Sequence, residues 1–207
     1  MEGIIGKKVG MTRIFNQEGQ AIPVTVIEAG PCPVVQVKTK DKDGYDAIQI
    51  GFGEKKKKLF TLPLLGHFEK AKLEPKRMLK EIRTDHGGKF KAGQELKVDM
   101  FSVGDKVRVT GVSKGLGFQG GVRRHKFRGG PKTHGQSDRL RAPGSIGASS
   151  FPSRVYKGQR MAGRMGGDKV TIKNLEVVGV DAEKCLLLVK GAVPGKRNCY
   201  LTIRKKG

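Results

Sequence analysis

A chain of 207 residues with 36% hydrophobic content has room for one modest core, or one domain with an insertion. It carries 42 Lys and Arg against 19 Asp and Glu, a net charge of +23, together with 31 glycines. Such charge opposes compaction unless a polyanion relieves it, so nucleic acid leads as the partner class and an anionic membrane surface comes second. Against the membrane, no apolar run approaches the ~20 residues that span a bilayer. The opening MEGIIGKKVGMTRIF lacks the apolar stretch and cleavage site expected of a signal peptide. Cys32, Cys185 and Cys199 form an odd set without CxxC spacing, which predicts buried thiols in a reducing, cytosolic setting and neither a disulfide framework nor a zinc site.

In chain order, AIPVTVIEAG and CPVVQVKTK are β-branched runs bounded by Gly and Pro and predict strands. A small helical insertion is expected within 55–95, at PLLGHFEKAKL and again around PKRMLKEI. His67 is expected to be packed or capping in the first of these, and His86 to sit in a turn beside Gly87. The lysine run Lys55 to Lys58 reads as a solvated charge run, with phosphate contact as the sharper alternative. ELKVDMF and DKVRVTGV alternate apolar and polar residues as half-buried strands do. DKVTIKNLEVVGV and CLLLVKGAV predict a strand pair joined by DAEK. Many short strands, Gly-rich turns and few helices predict a mainly β fold, a small barrel or sandwich.

The segment 113–167 stands apart. It holds 12 basic residues and a single acid, Asp138, so +11 of the chain's +23 lies in about a quarter of its length. The expected organisation is therefore a globular β domain of 1–112 with 168–207, and a long extended Gly/Arg-rich arm of 113–167. From Gly120 to Gly163 no helix or strand period persists, and the apolar surface is too small to offset an ordering entropy of ~1–2 kcal/mol per residue. The arm is expected to be disordered alone and ordered against a partner.

Two enzymatic readings compete for GLGFQGGV within this segment. A dinucleotide site at Gly115, Gly117 and Gly120 needs a strand, the glycines and then a helix. A strand precedes, but GVRRHKFRGGPKTHG predicts no helix. The kinase pattern lacks its lysine strand, HRD and DFG. His125 and His134 have no Cys or paired carboxylate beside them, and no carboxylate pair is spaced for acid–base work. No catalytic residue, metal site, cofactor or small-molecule substrate is expected.

As a polyphosphate contact the same residues make sense. Arginine forks match phosphate oxygens, and glycines let the backbone approach closely. The candidate RNA-binding residues are Lys114, Arg123, Arg124, His125, Lys126, Arg128, Lys132, His134, Arg139, Arg141, Ser145, Arg154, Lys157, Arg160 and Arg164. Phe118, Phe127, Phe151 and Tyr156 either stack on unpaired bases or pin the arm's base to the barrel; for Phe118 both readings stay open. Composition does not separate RNA from DNA, so a DNA-compacting protein remains a third hypothesis.

GKKVGMTRIFNQEGQAIPVTVIEAGPC, DGYDAIQIGFG, SKGLGFQGGVRRHKFRGGPKTHG, RAPGSIGASSFPSRVYKGQRMAGRMGG and LLLVKGAVPG occur in this order over almost the whole chain. Together they resemble the L-three family of large-subunit ribosomal proteins, in its compact bacterial or organellar form. The resemblance implies a translation-factor-type β-barrel, direct binding of large-subunit ribosomal RNA, nucleation of subunit assembly and a cytoplasmic, ribosomal location. It also implies an arm reaching toward the peptidyl transferase centre with its tip around Gly144 to Arg154, and the proteins L-fourteen and L-nineteen as neighbours. Some bacterial members carry a methylated glutamine directly after GSIG; this chain has Ala148 there, so that modification is expected to be absent.

Overall fold

The computed structural model describes residues 3–84 and 90–205. By its own contacts the chain divides into two units, Met1–Val112 with Lys169–Gly207, and Ser113–Asp168. The strands in chain order are β1 (Gly3–Phe15), β2 (Ala21–Ala29), β3 (Cys32–Lys38), β4 (Ala47–Glu54), β5 (Lys76–Arg83), β6 (Glu95–Leu96), β7 (Lys106–Val112), β8 (Gly117–Gln119), β9 (Gly163–Met165), β10 (Lys169–Asp181), β11 (Leu186–Lys190) and β12 (Tyr200–Lys205). The helices are α1 (Lys40–Asp43), α2 (Leu62–Lys70) and α3 (Gly121–His125).

The first unit is a closed antiparallel barrel in the order β1-β12-β7-β10-β11-β2, as a mainly β reading requires. Its interior comes from alternate positions: Ile27, Val107, Val109, Leu187, Val189 and Ile203 are fully buried. A second sheet, β5-β4-β3-β6, adds Val34, Ile48, Ile50 and Ile82 to the same core cluster. Each such aliphatic side chain removed from water contributes ~1.5–3 kcal/mol before the entropic cost of folding.

The start of β1 shows why two sheets share one core. Gly3, Ile4, Ile5 and Gly6 are buried in succession, because this stretch is covered on both faces. A Cβ at Gly6 would lie 2.7 Å from Ile27 Cγ2 and 2.9 Å from the Glu28 carbonyl oxygen, so only glycine permits that approach. Farther along, Lys8 is buried, and its Nζ donates to the carbonyls of Val193 (2.9 Å) and Gly195 (3.2 Å). This ammonium fastens the loop before β12 onto β1 and has its charge answered by peptide dipoles.

Strands expected from β2, β3, β7 and the β10–β11 pair are present. Helix α2 forms where PLLGHFEKAKL predicts it, with Pro63 in its first turn and Phe68 buried against Phe60, ring centroids 6.0 Å apart. His67 is packed there, its Nε2 2.6 Å from Gln49 Oε1. Two expectations are corrected. PKRMLKEI is not a helix but β5, paired with β4 from Ala47↔Arg83 to Glu54↔Lys76. Residues of good helix propensity are overridden there by a complete ladder and by burial of Ile82. ELKVDMF is a strand only at Glu95–Leu96; Val98–Met100 then turns as a short 3-10 helix that buries Val98. The turn expected at His86 lies outside the described residues.

The three cysteines are free, Cys32 buried and the other two half-buried. Cys32 donates its S–H to the Ile5 carbonyl (3.3 Å), and burial pushes its thiol pKa up to about 12, which leaves it unreactive at neutral pH. Lys55 to Lys58 are exposed, Lys55 Nζ lying 4.7 Å from the Phe60 ring centroid. Among the described residues no helix is long and apolar enough to cross a membrane.

Candidate nucleic-acid interface

The second unit begins as a ribbon. Ser113 N–H donates to the Asp168 carbonyl (2.9 Å), Asp168 N–H donates back to Ser113 Oγ (3.2 Å), and Leu116 N–H donates to the Met165 carbonyl (2.9 Å). Strands β8 and β9 then pair Gly117↔Met165, Phe118↔Arg164 and Gln119↔Gly163. Gly166 makes this crossing possible: its φ is +73°, and a Cβ there would collide with the Lys114 carbonyl.

One turn of helix follows, where the sequence predicts none. Gly120 is extended, α3 runs Gly121–His125, and Lys126 at φ 60° ends it. A five-residue turn is too short for the strand–glycine–helix unit of a dinucleotide site, and the preceding sheet is a two-stranded antiparallel ribbon. What α3 does is tie the outgoing chain to the returning one. Arg124 Nη1 donates to the Met161 carbonyl (2.9 Å), and His125 Nε2 lies 3.0 Å from the same oxygen. A Cβ at Gly163 would stand 2.5 Å from that Arg124 nitrogen, so glycine clears its path. Phe127 packs over Gly121, with its ring 5.7 Å from that of His125.

Beyond α3 the backbone at Gly129–Gly130 runs against Leu140 and Arg139. Gly130 N–H donates to the Leu140 carbonyl (2.9 Å), and a Cβ on Gly130 would be 2.7 Å from the Arg139 carbonyl oxygen. Toward the tip, Ser145 Oγ donates to the Gly147 carbonyl (2.8 Å) and Ser153 Oγ to that of Ser150. Phe151 is 85% exposed, and Arg154 stands 5.9 Å from the centroid of the Tyr156 ring.

Of the sequence-derived candidates, Lys114, Arg123, Lys126, Arg128, Lys132 and His134 are exposed. So are Arg139, Arg141, Ser145, Arg154, Lys157, Arg160 and Arg164. Arg124 and His125 are half-buried and serve the tie to Met161. Arg123 donates from Nη1 to Gln119 Oε1 (3.3 Å), while Gln119 Nε2 donates to the Leu116 carbonyl (2.6 Å). Phe118 is 76% exposed and sits opposite Arg164 in the ribbon.

The electrostatics of the two units differ in kind. Among the described residues every ion pair belongs to the first unit: Lys7–Glu28, Lys38–Glu81, Lys40–Asp46, Lys190–Glu176 and Lys205–Asp105. The second holds two carboxylates, Asp138 and Asp168, and neither joins an ion pair among the described residues; Asp138 accepts from Ser137 Oγ (3.1 Å). The 12 cations of this unit thus meet no anion among the described residues. The returning chain also encloses an open cavity of about 850 Å³, bordered by residues of 120–131, 136–146 and 159–162. Ile146, Met161 and Gln136 line it and carry no signal in the sequence, since only the return of the chain brings them together.

Comparison with known proteins agrees with this construction. The family model described as ribosomal protein L3 matches residues 83–186. The large ribosomal subunit protein uL3 of Chloroherpeton thalassium is 59% identical, covering 98% of each chain. That of Herpetosiphon aurantiacus is 56% identical over 99% of this chain and 96% of its own, and that of Carboxydothermus hydrogenoformans 56% over 99% and 97%. A basic unit of this kind in a chain that also forms a closed barrel, and likeness at this level from end to end, lead to one conclusion: the chain belongs to the ribosomal protein L3 family.

Proposed function

We propose that this protein, a structural component of the large ribosomal subunit and not an enzyme, holds large-subunit ribosomal RNA directly through Ser113–Asp168. The observation that carries the reading is the unanswered charge: 12 Lys and Arg side chains, all but Arg124 turned to solvent, with no ion pair among the described residues. Phosphate oxygens supply the missing partners, and release of their counterions supplies much of the affinity. Exposed Phe118, Phe151 and Tyr156 add faces on which unpaired bases stack.

On this reading the ribosome, in the cytoplasm, is where the chain resides. The finer parts of the proposal are that binding is early enough to nucleate subunit assembly, and that the tip around Gly144 to Arg154 reaches toward the peptidyl transferase centre. Neighbouring contacts with the proteins L-fourteen and L-nineteen belong to the same proposal. The test is footprinting of the full chain on large-subunit ribosomal RNA, with binding measured against unrelated RNA and duplex DNA. Specific protection with a steep salt dependence is expected. Equal affinity for all three at moderate salt would sink it in favour of a non-specific compacting protein.

A further inference from the structure

The cavity in the second unit has a chemistry more particular than a basic surface. Its wall is apolar, formed by Phe127, Pro131, Pro143, Ile146 and Met161. Four guanidiniums, those of Arg128, Arg139, Arg141 and Arg160, border it, all exposed and none in an ion pair or hydrogen bond among the described residues. Gln136 lines it as well, half-buried, with a side-chain amide that makes no bond among the described residues and can both donate and accept. The backbone on two sides is held: Gly130 is bonded to Leu140, and the tie of Arg124 to Met161 anchors the returning chain. At about 850 Å³ it falls within the ~300–1,000 Å³ range of sites that engulf a small organic group.

An apolar slot ringed by cations, with one amide able to read a base edge, matches one ligand chemistry closely. We propose that this cavity receives a single unpaired nucleotide of the bound RNA, its base against Phe127, Ile146 and Met161 and its flanking phosphates on the bordering arginines. The inference rests on the RNA-binding reading above and assigns to it a specific pocket. Charge complementarity selects the occupant. An apolar peptide would leave four guanidiniums unanswered, and a duplex could not enter without unstacking a base. RNA recognition that is specific in sequence works on such splayed-out bases.

The test fills the cavity without altering charge. Ala142→Trp and Ala162→Trp, on different segments of the lining, place an indole where the base would lie. Thermal melting of each full-length variant reports whether the fold is intact. Loss of one stacked base should weaken binding to large-subunit ribosomal RNA roughly 5- to 150-fold. Every arginine is kept, so the salt slope should fall by no more than the ~0.7–0.9 per contact that the displaced nucleotide's own phosphates supply, and one unpaired nucleotide should lose its chemical protection. A third variant works in the opposite sense. The chain has no tryptophan, so Phe127→Trp installs a sole reporter in the slot, and its fluorescence should be quenched when RNA binds.

Folded Ala142→Trp and Ala162→Trp proteins that bind and protect as the parent does would overturn the pocket while leaving the RNA-binding reading in place. Unchanged Phe127→Trp fluorescence in a formed complex would do the same. Competition by free adenosine or uridine monophosphate at millimolar concentration would replace it by a mononucleotide site. Absence of any preference of the parent chain for large-subunit ribosomal RNA would instead sink the underlying reading.

Discussion

Replacing Arg139, Arg141 and Arg160 together by alanine tests counterion release by the arm through the salt dependence of binding. All three are exposed and free of ion pairs among the described residues, so their removal costs the isolated protein little. If about six arm cations touch phosphate at once, log K against log salt should fall with a slope of roughly −4 to −5, since each contact contributes ~0.7–0.9. Losing three contacts lowers that slope by about 2 to 3. Between 50 and 200 mM salt the variant's affinity should therefore drop by a factor some 20- to 40-fold smaller than the parent's. Filter binding to large-subunit ribosomal RNA across that salt series is the assay. The matched control is Lys42, Lys70 and Lys72 to alanine, three exposed lysines of the first unit. An unchanged slope in the arginine variant, or an equal change in the control, would refute the placement of the phosphate contacts in Ser113–Asp168.

Excising Gly121 to Arg160 and closing the gap with a short Gly/Ser linker should leave a cooperatively melting barrel with sharply reduced RNA affinity; loss of the melting transition would mean that the barrel needs the arm. Hydrogen exchange on the free and RNA-bound chain should show arm amides slowed on binding, and equal protection in both states would contradict ordering by a partner. Ile203→Ala, at a fully buried barrel position, should destabilise the first unit by about 2–5 kcal/mol in a urea titration, with little change in the salt slope of the folded protein. Glu81 is held below its ordinary carboxylate pKa of 4.5 by Lys38 Nζ (2.7 Å) and by the Tyr45 hydroxyl (2.9 Å). Its contribution to stability is therefore complete above that value and lost as the pH falls through the lowered one. Acid titration of Glu81→Gln should show a shallower loss of stability below about pH 5 than the parent; identical acid curves would remove this pair from the account.

How far these features were legible in the sequence depended on what local pattern could carry. β2, β3, β7 and the β10–β11 pair were legible because β-branched residues alternate or cluster between Gly and Pro. β1 was not assigned, since GIIGKKVGMTRIF is buried on both faces at its start and lysine-bearing thereafter, so no period of two survives. β4 and β12 also went unassigned, and β5 read as helix because its residue types suit one; its state is decided by β4, which is distant in sequence. The arm was legible through charge and glycine content, which survive any conformation. Its internal construction was not: the bond from Arg124 to Met161 joins residues 37 apart, and no spacing announces it. For the same reason the sequence offers Arg124 and His125 as candidate RNA contacts without showing that both also reach the Met161 carbonyl.

The base of the arm has a kinetic consequence. Val112 and Lys169 are the last paired positions of the β7–β10 ladder, and Ser113 and Asp168, the next residues along, are already hydrogen-bonded to each other. The β7–β10 seam and the β8–β9 ribbon thus close one and the same long loop, and its entropic cost arises once for both. Whichever zips first delivers the other at almost no further search. Folding that is slow because of distant strand pairing would then be hastened by any anion that holds the ribbon shut, so a nascent chain could complete its barrel on the RNA faster than it does alone.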